Sequence, residues 1–171
     1  MIRFAFCLIL AFALYNNFNV AAQDTTNTMR KNLIYVEAGG VAGYMSLNYE
    51  RILFLRDKSA ISAKIGYSTY HLTDGNKKFN PDIILPVGVN YLFIHKPGFI
   101  IGAGQMYTGI LKFNRESLSF QRENNFHTFF SAGITNMFFN DRLLLRITYT
   151  PVLENNQKYM HFLGVSIGYS F

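Results

Sequence analysis

The chain has 171 residues, half of them hydrophobic, 16% aromatic and only 15% charged. That length suits one domain, and the aromatic content excludes a disordered chain. A single cysteine excludes a disulfide scaffold, and the bases behind the +6 charge are dispersed and form no basic helix, which argues against a nucleic-acid partner.

The first element is an export signal. Arg3 precedes twelve uninterrupted apolar or aromatic residues, Phe4 to Tyr15, and Val20-Ala21-Ala22 supplies small residues before a cut after Ala22. The run is too short for a permanent membrane helix, which needs about 20 residues. Residues 1–22 are therefore expected to be removed, and Cys7 with them. Arg3 is the only charge lost, so the mature charge is +5. Residues 23–32 are polar and read as a short tail.

Residues 33–171 alternate with period two, the signature of strands with one apolar face. Leu33 to Gly39 opens the series. Tyr44 to Phe54 sets Met45, Leu47 and Tyr49 against Ser46, Asn48 and Glu50. Ala60 to His71 sets Ile61, Ala63, Ile65 and Tyr67 against Ser62, Lys64, Gly66 and Ser68. Ile83 to Ile94 follows, and Pro86 within it cannot donate to a ladder. Phe99 to Leu111 is the least regular, since Gln105 falls on its apolar face, where a bulge could fit. Phe126 to Phe138, Leu143 to Thr150 and Tyr159 to Phe171 complete eight strands.

The second face of these strands decides the class. A water-soluble sheet shows solvent a charged face, whereas here that face is Gly, Ser, Thr and Asn. Of 25 charged residues after Ala22, only Glu37, Glu50, Arg51, Lys64 and Arg146 fall within the eight strands. The connections hold 4, 11, 14 and 8 residues at the odd joins and 5, 4 and 4 at the even ones. Long outer loops alternating with tight turns is the outer-membrane rule. The expected fold is thus all-β, an eight-stranded antiparallel up-and-down transmembrane barrel with both termini periplasmic. Phe54, Phe93, Phe99, Phe138, Tyr169 and Phe171 would form one aromatic girdle; Tyr67, Tyr107, Phe126, Phe130, Tyr149 and Tyr159 would form the other.

The closing Gly164-Val165-Ser166-Ile167-Gly168-Tyr169-Ser170-Phe171 resembles the assembly signal of outer-membrane barrels. The resemblance implies recognition of Tyr169 and Phe171 by the barrel-assembly machinery. Gly39-Gly40, Gly43, Ser46-Leu47-Asn48-Tyr49-Glu50-Arg51 and the final Gly-Tyr-Ser-Phe resemble a group of small, uncharacterised Gram-negative outer-membrane barrels. That resemblance implies fold and place, and no activity.

Few residues suggest chemistry. An eight-stranded barrel is filled by side chains, so an open pore is not expected. Glu37, Glu50, Lys64 and Arg146 map to the lumen and read as a neutral ion network, with a gated ion path or a catalytic carboxylate as the functional alternative. Lys77, Lys78, Lys112, Arg115 and Arg122 lie in or beside outer loops 72–82 and 112–125, where lipopolysaccharide phosphates would be natural partners. His71, His127 and His161 map to the outer rim, but without HExxH or His-x-His spacing they mark neither a metal site nor a catalytic motif. Gly102-Ala103-Gly104 is not a nucleotide loop, because residue 107 is Tyr and no helix follows. No cofactor is implied. The leading reading is a non-enzymatic barrel with structural or surface-interaction duties. The alternatives are a lipid A-modifying enzyme using His127 or His161, and a soluble periplasmic barrel holding an apolar ligand.

Overall fold

A computed structural model of the protein describes residues 30–72, 80–95, 97–114, 119–154 and 159–171, the side chains of 112–114 and 119–120 excepted. The export signal and most of the polar tail lie outside these residues. Eight strands follow in chain order: β1 Asn32–Gly39, β2 Met45–Arg56, β3 Ser59–Ser68, β4 Ile83–Phe93, β5 Gly98–Asn114, β6 Ser119–Phe138, β7 Leu143–Leu153 and β8 Tyr159–Ser170. Each pairs antiparallel with the next, and β1 pairs with β8, so the sheet closes into a barrel. Asn32 and Phe171 exchange backbone hydrogen bonds of 3.2 and 2.9 Å at the seam. Closure removes the sheet edge that hydrocarbon could not tolerate.

Period-two alternation sorts the side chains as the sequence does, but the two faces are inverted relative to a water-soluble protein. Ser46, Asn48, Glu50, Ser62, Lys64, Asn90, Arg146, Thr148 and Ser166 are buried inside. Ile34, Leu47, Ile65, Ile101, Ile134, Ile147, Val165 and Ile167 stand exposed outside. That outer belt suits lipid and would aggregate in water. Both aromatic sets flank it; Phe54, Phe99 and Phe171 are exposed towards the turn end, and Tyr67, Phe126 and Tyr159 towards the loop end.

The irregularities differ from expectation. Gln105 pairs with Val87 and Thr128 in unbroken register, so β5 has no bulge there. The register shift falls in β2 instead, between Ile52 and Phe54. Pro86 points inward and pairs with Met106, while the β3–β4 ladder is interrupted between Ile65↔Val87 and Ser68↔Ile84. The missing donor is accommodated in that gap. The segment 112–125 is mostly not loop: the β5–β6 ladder runs unbroken from Gly98↔Thr135 to Asn114↔Ser119. On its far side β6 pairs with β7 only up to Thr128↔Leu153, so the hairpin extends beyond its neighbour. Lys112, Arg122 and Glu123 do not oppose pairing once the strands have left the apolar zone.

Candidate functional site

The barrel interior is layered. Its middle layer is polar and is built from inward positions of β1, β2, β3, β4 and β7. Arg146 Nη1 donates to Glu50 Oε2 across the lumen at 2.8 Å, both side chains being buried. Glu50 Oε1 also accepts from the Ser62 hydroxyl and from Asn90 Nδ2, the latter at 3.0 Å. Glu37 accepts from Thr148 Oγ1 at 3.1 Å. The Lys64 ammonium lies 5.1 Å from the centre of the Phe129 ring, and the Arg146 guanidinium lies 5.2 Å from that of Tyr35. Such cation–π contacts partly replace lost hydration. All four ionisable residues singled out in the sequence thus face one lumen, but only Glu50 and Arg146 meet directly. Tyr35, Asn48 and Asn90 complete the layer, and Phe129 borders it on the loop side; charge alone could not mark them. Their signal was position on the inward parity.

Apolar clusters lie on both sides. Towards the loops, Val41 and Ala42 of the first connection pack with Ile84, Met106, Phe129 and Val152, with Tyr70 and Phe162 beside them. The chain reaches this place through three left-handed glycines: Gly39 at φ 75°, Gly40 at φ 68° and Gly43 at φ 85°. At φ 68° a side chain on Gly40 would be strained, and its Cβ would press on the Glu37 carboxylate, so glycine lets the connection fold over that carboxylate. The sequence shows these residues as a short outer loop; the structure makes them a plug. Towards the turns, Ala60, Leu92 and Ile100 form a second apolar cluster on the β3–β5 side of the lumen, with Ile52 and Ile94 against it.

The loop end carries a second polar cluster. Asp82 is fully buried; Oδ1 accepts the Leu111 amide at 2.9 Å, and Oδ2 lies 2.9 Å from His71 Nδ1. Arg122 donates to the Gly109 carbonyl at 2.8 Å, to Asn80 Oδ1 at 2.6 Å and to the Pro81 carbonyl at 3.0 Å. Asp82 and Arg122 therefore clasp residues 80–82 to the β5–β6 hairpin. Burial raises the Tyr70 phenol above its ordinary range, with Tyr44 and Asp82 adding to the shift.

The other candidates are dispersed. Lys77, Lys78 and Arg115 lie outside the described residues, as does the Lys112 side chain. The three rim histidines do not converge. His71 belongs to the clasp, and His127 faces Thr108 Oγ1 at 3.1 Å on the inner side. His161 faces outward, stacked on Tyr149 and 2.6 Å from its hydroxyl. Among the described residues, no three His, Cys, Asp or Glu are grouped to hold a metal.

No family model matches the chain, and no curated protein sequence does. Solved structures do match. The N-terminal β-barrel domain of Pseudomonas aeruginosa OprF superposes with a TM-score of 0.55 at 18% identity, over 83% of this chain and 99% of that one. Ail, the attachment invasion locus protein of Yersinia pestis, gives 0.55 at 10% identity, over 83% and 97%. Ail in a phospholipid bilayer nanodisc gives 0.51 at 10% identity, over 83% and 99%. The fold is that of the small outer-membrane barrels. In an outer-membrane barrel of eight strands the interior is only wide enough for side chains.

Proposed function

We propose that this is a non-enzymatic outer-membrane barrel whose lumen is closed and whose loop end does the work. Export through residues 1–22, assembly guided by Tyr169 and Phe171, and periplasmic termini belong to the same reading. The observation that carries it is a buried ion pair in the lumen with an apolar cluster towards each end, which supports a closed interior. Such an interior favours rigidity over transport. Glu37 and Lys64 sit in the same layer as Glu50 and Arg146, and the four together balance to neutrality, which a narrow low-dielectric lumen requires.

Contact with the surroundings then falls to the loop-end segments 72–82 and 112–125, with Lys77, Lys78, Lys112 and Arg115 available for lipopolysaccharide phosphates or an external partner. Arg122 serves this indirectly, since its hydrogen bonds go to its own chain and hold segment 80–82 in place. The exposed apolar belt supports a membrane barrel over a soluble periplasmic one. The opposite facing of His127 and His161 weighs against a shared catalytic site.

A lipid A mass spectrum from cells with and without the gene tests this reading. The expected spectrum is unchanged. A loss of acyl modification reproduced by His127→Ala or His161→Ala would make the protein an enzyme. In parallel, refolded protein should bind lipopolysaccharide vesicles, and a Lys77→Gln/Lys78→Gln/Lys112→Gln/Arg115→Gln variant should bind them more weakly.

A further inference from the structure

The charge of the chain is not where the long loops are. The loop-end segments 69–82, 107–126 and 151–159 carry six bases and five acids, close to balance. The turn-end segments 30–31, 51–58, 94–98 and 139–142 carry seven bases against two acids, Asp57 and Asp141. Almost all of the mature +5 charge therefore belongs to the end of the barrel that holds the termini and the tight turns.

The fold arranges these bases in an arc. Arg142 lies in the β6–β7 turn, and its carbonyl accepts the Ser170 amide of β8 at 2.8 Å. At the seam β8 meets β1 through Asn32 and Phe171, and the carbonyl of Lys31 accepts the Ile52 amide of β2 at 2.8 Å. Arg51 stands opposite Asn32 on β2, and Arg56 opposite Ser59 at the β2–β3 turn. The Lys58 carbonyl then receives the Ile94 amide at 2.9 Å. Lys31, Arg51, Arg56, Lys58 and Arg142 thus follow consecutive strand ends from β7 round to β4. All five are exposed. The same rim carries exposed Phe54, Phe138, Phe139, Tyr169 and Phe171.

An arc of this kind does not enclose a small anion, because its bases are spread along the circumference and do not converge on one point. It matches a surface that offers many phosphates at one height. Aromatic rings at the hydrocarbon boundary, with long basic side chains reaching past them, form the interfacial pairing by which a membrane protein engages headgroups. We infer that the turn-end arc of Lys31, Arg51, Arg56, Lys58 and Arg142 is a binding surface for anionic phospholipid headgroups of the adjoining leaflet. Basic residues at a membrane surface select anionic lipid through a screened electrostatic attraction. The inference rests on the reading that the barrel spans a membrane.

The test uses the full mature chain refolded into vesicles of phosphatidylcholine containing a minor fraction of phosphatidylglycerol. Folding is read from heat-modifiable gel mobility, and lipid selection from the phospholipids retained after extraction with mild detergent. The wild type is expected to retain phosphatidylglycerol over phosphatidylcholine by about tenfold at low salt and by much less at high salt. Arg51→Gln/Arg56→Gln/Lys58→Gln/Arg142→Gln should fold into pure phosphatidylcholine but lose the preference. Arg51→Lys/Arg56→Lys/Arg142→Lys should keep most of it, since charge is retained. Equal retention of both lipids by the folded wild type, or an undiminished preference in the Gln variant, would overturn the inference. So would protein in phosphatidylcholine vesicles that binds soluble polyphosphate while showing no lipid preference, because the arc would then serve a soluble anion. Failure of the wild type to insert into any vesicle would count against the membrane reading instead, and is told apart by the gel.

Discussion

Glu50 and Arg146 show what a single residue can decide in this barrel. Each is buried, and each is the other's only direct ionic partner among the described residues. Removing one strands the other's charge in a layer closed by hydrocarbon. Arg146→Leu should therefore lower the unfolding free energy by about 3–5 kcal/mol. Glu50→Gln/Arg146→Leu together should recover most of that loss. Urea titration of the refolded protein, followed by the shift between folded and unfolded gel bands, measures both. Phe139 offers the opposite case. It stands at φ 52°, followed by Asn140 at φ 58° and Asp141 at φ 59°. Asn and Asp tolerate the left-handed region, whereas a bulky aromatic there is strained by about 1–2 kcal/mol. Phe139→Asn should raise the urea midpoint, and no change would mean that the ring's contact with the bilayer interface compensates. The inward placement of Glu50, Arg146, Glu37 and Lys64 was legible from parity. Their pairing was not, because Glu50 and Arg146 are 96 positions apart and which acid reaches which base depends on the stagger of the closed sheet.

At the scale of elements, all eight strands were legible, since each carries a beat of apolar and small residues, broken in β5 only at Gln105. Their ends were less so. The sequence suggests that β5 stops at Leu111 and β6 starts at Phe126, yet pairing continues to Asn114 and resumes at Ser119. Outside the apolar zone a polar residue suits a strand or a loop equally, and cross-strand pairing decides. The clasp was illegible for a related reason. Arg122 looks like a free loop base until Asn80, Pro81 and Gly109 are brought to it. Arg122→Ala should leave the barrel folded but loosen segment 80–82. Amide exchange at Asn80 and Asp82, which donate to Leu72 and His71 carbonyls at 3.1 and 2.9 Å, should accelerate by about tenfold or more. Unchanged exchange at both would show that Asp82 alone holds the segment.

The whole molecule is a cylinder filled at three levels, and its behaviour in a membrane follows from that filling. Ions crossing it would have to displace two separate apolar clusters and break a buried ion pair. Planar-bilayer recordings should show no conductance steps for the wild type. Opening one seal, by Leu92→Ala with Ile100→Ala, should still show none, because the loop-end plug remains. Steps in the wild type would mean that the layers rearrange under voltage. The inverted outer surface and the alternation of short and long joins were enough to read the architecture from sequence. The plug was not readable, since Gly40 to Ala42 resembles any short connection until Tyr70, Phe129 and Val152 surround it.

That plug also sets an order of events. Residues 40–42 belong to the first hairpin, yet they pack against β7 and β8 as well as β2 and β4. The first connection therefore finds its seat only when the last two strands have arrived. An N-terminal fragment, however well its early strands pair, lacks the β7 and β8 share of the seat that holds Val41 and Ala42. The mouth of the barrel closes last, so its sealing reports that the entire chain has been assembled.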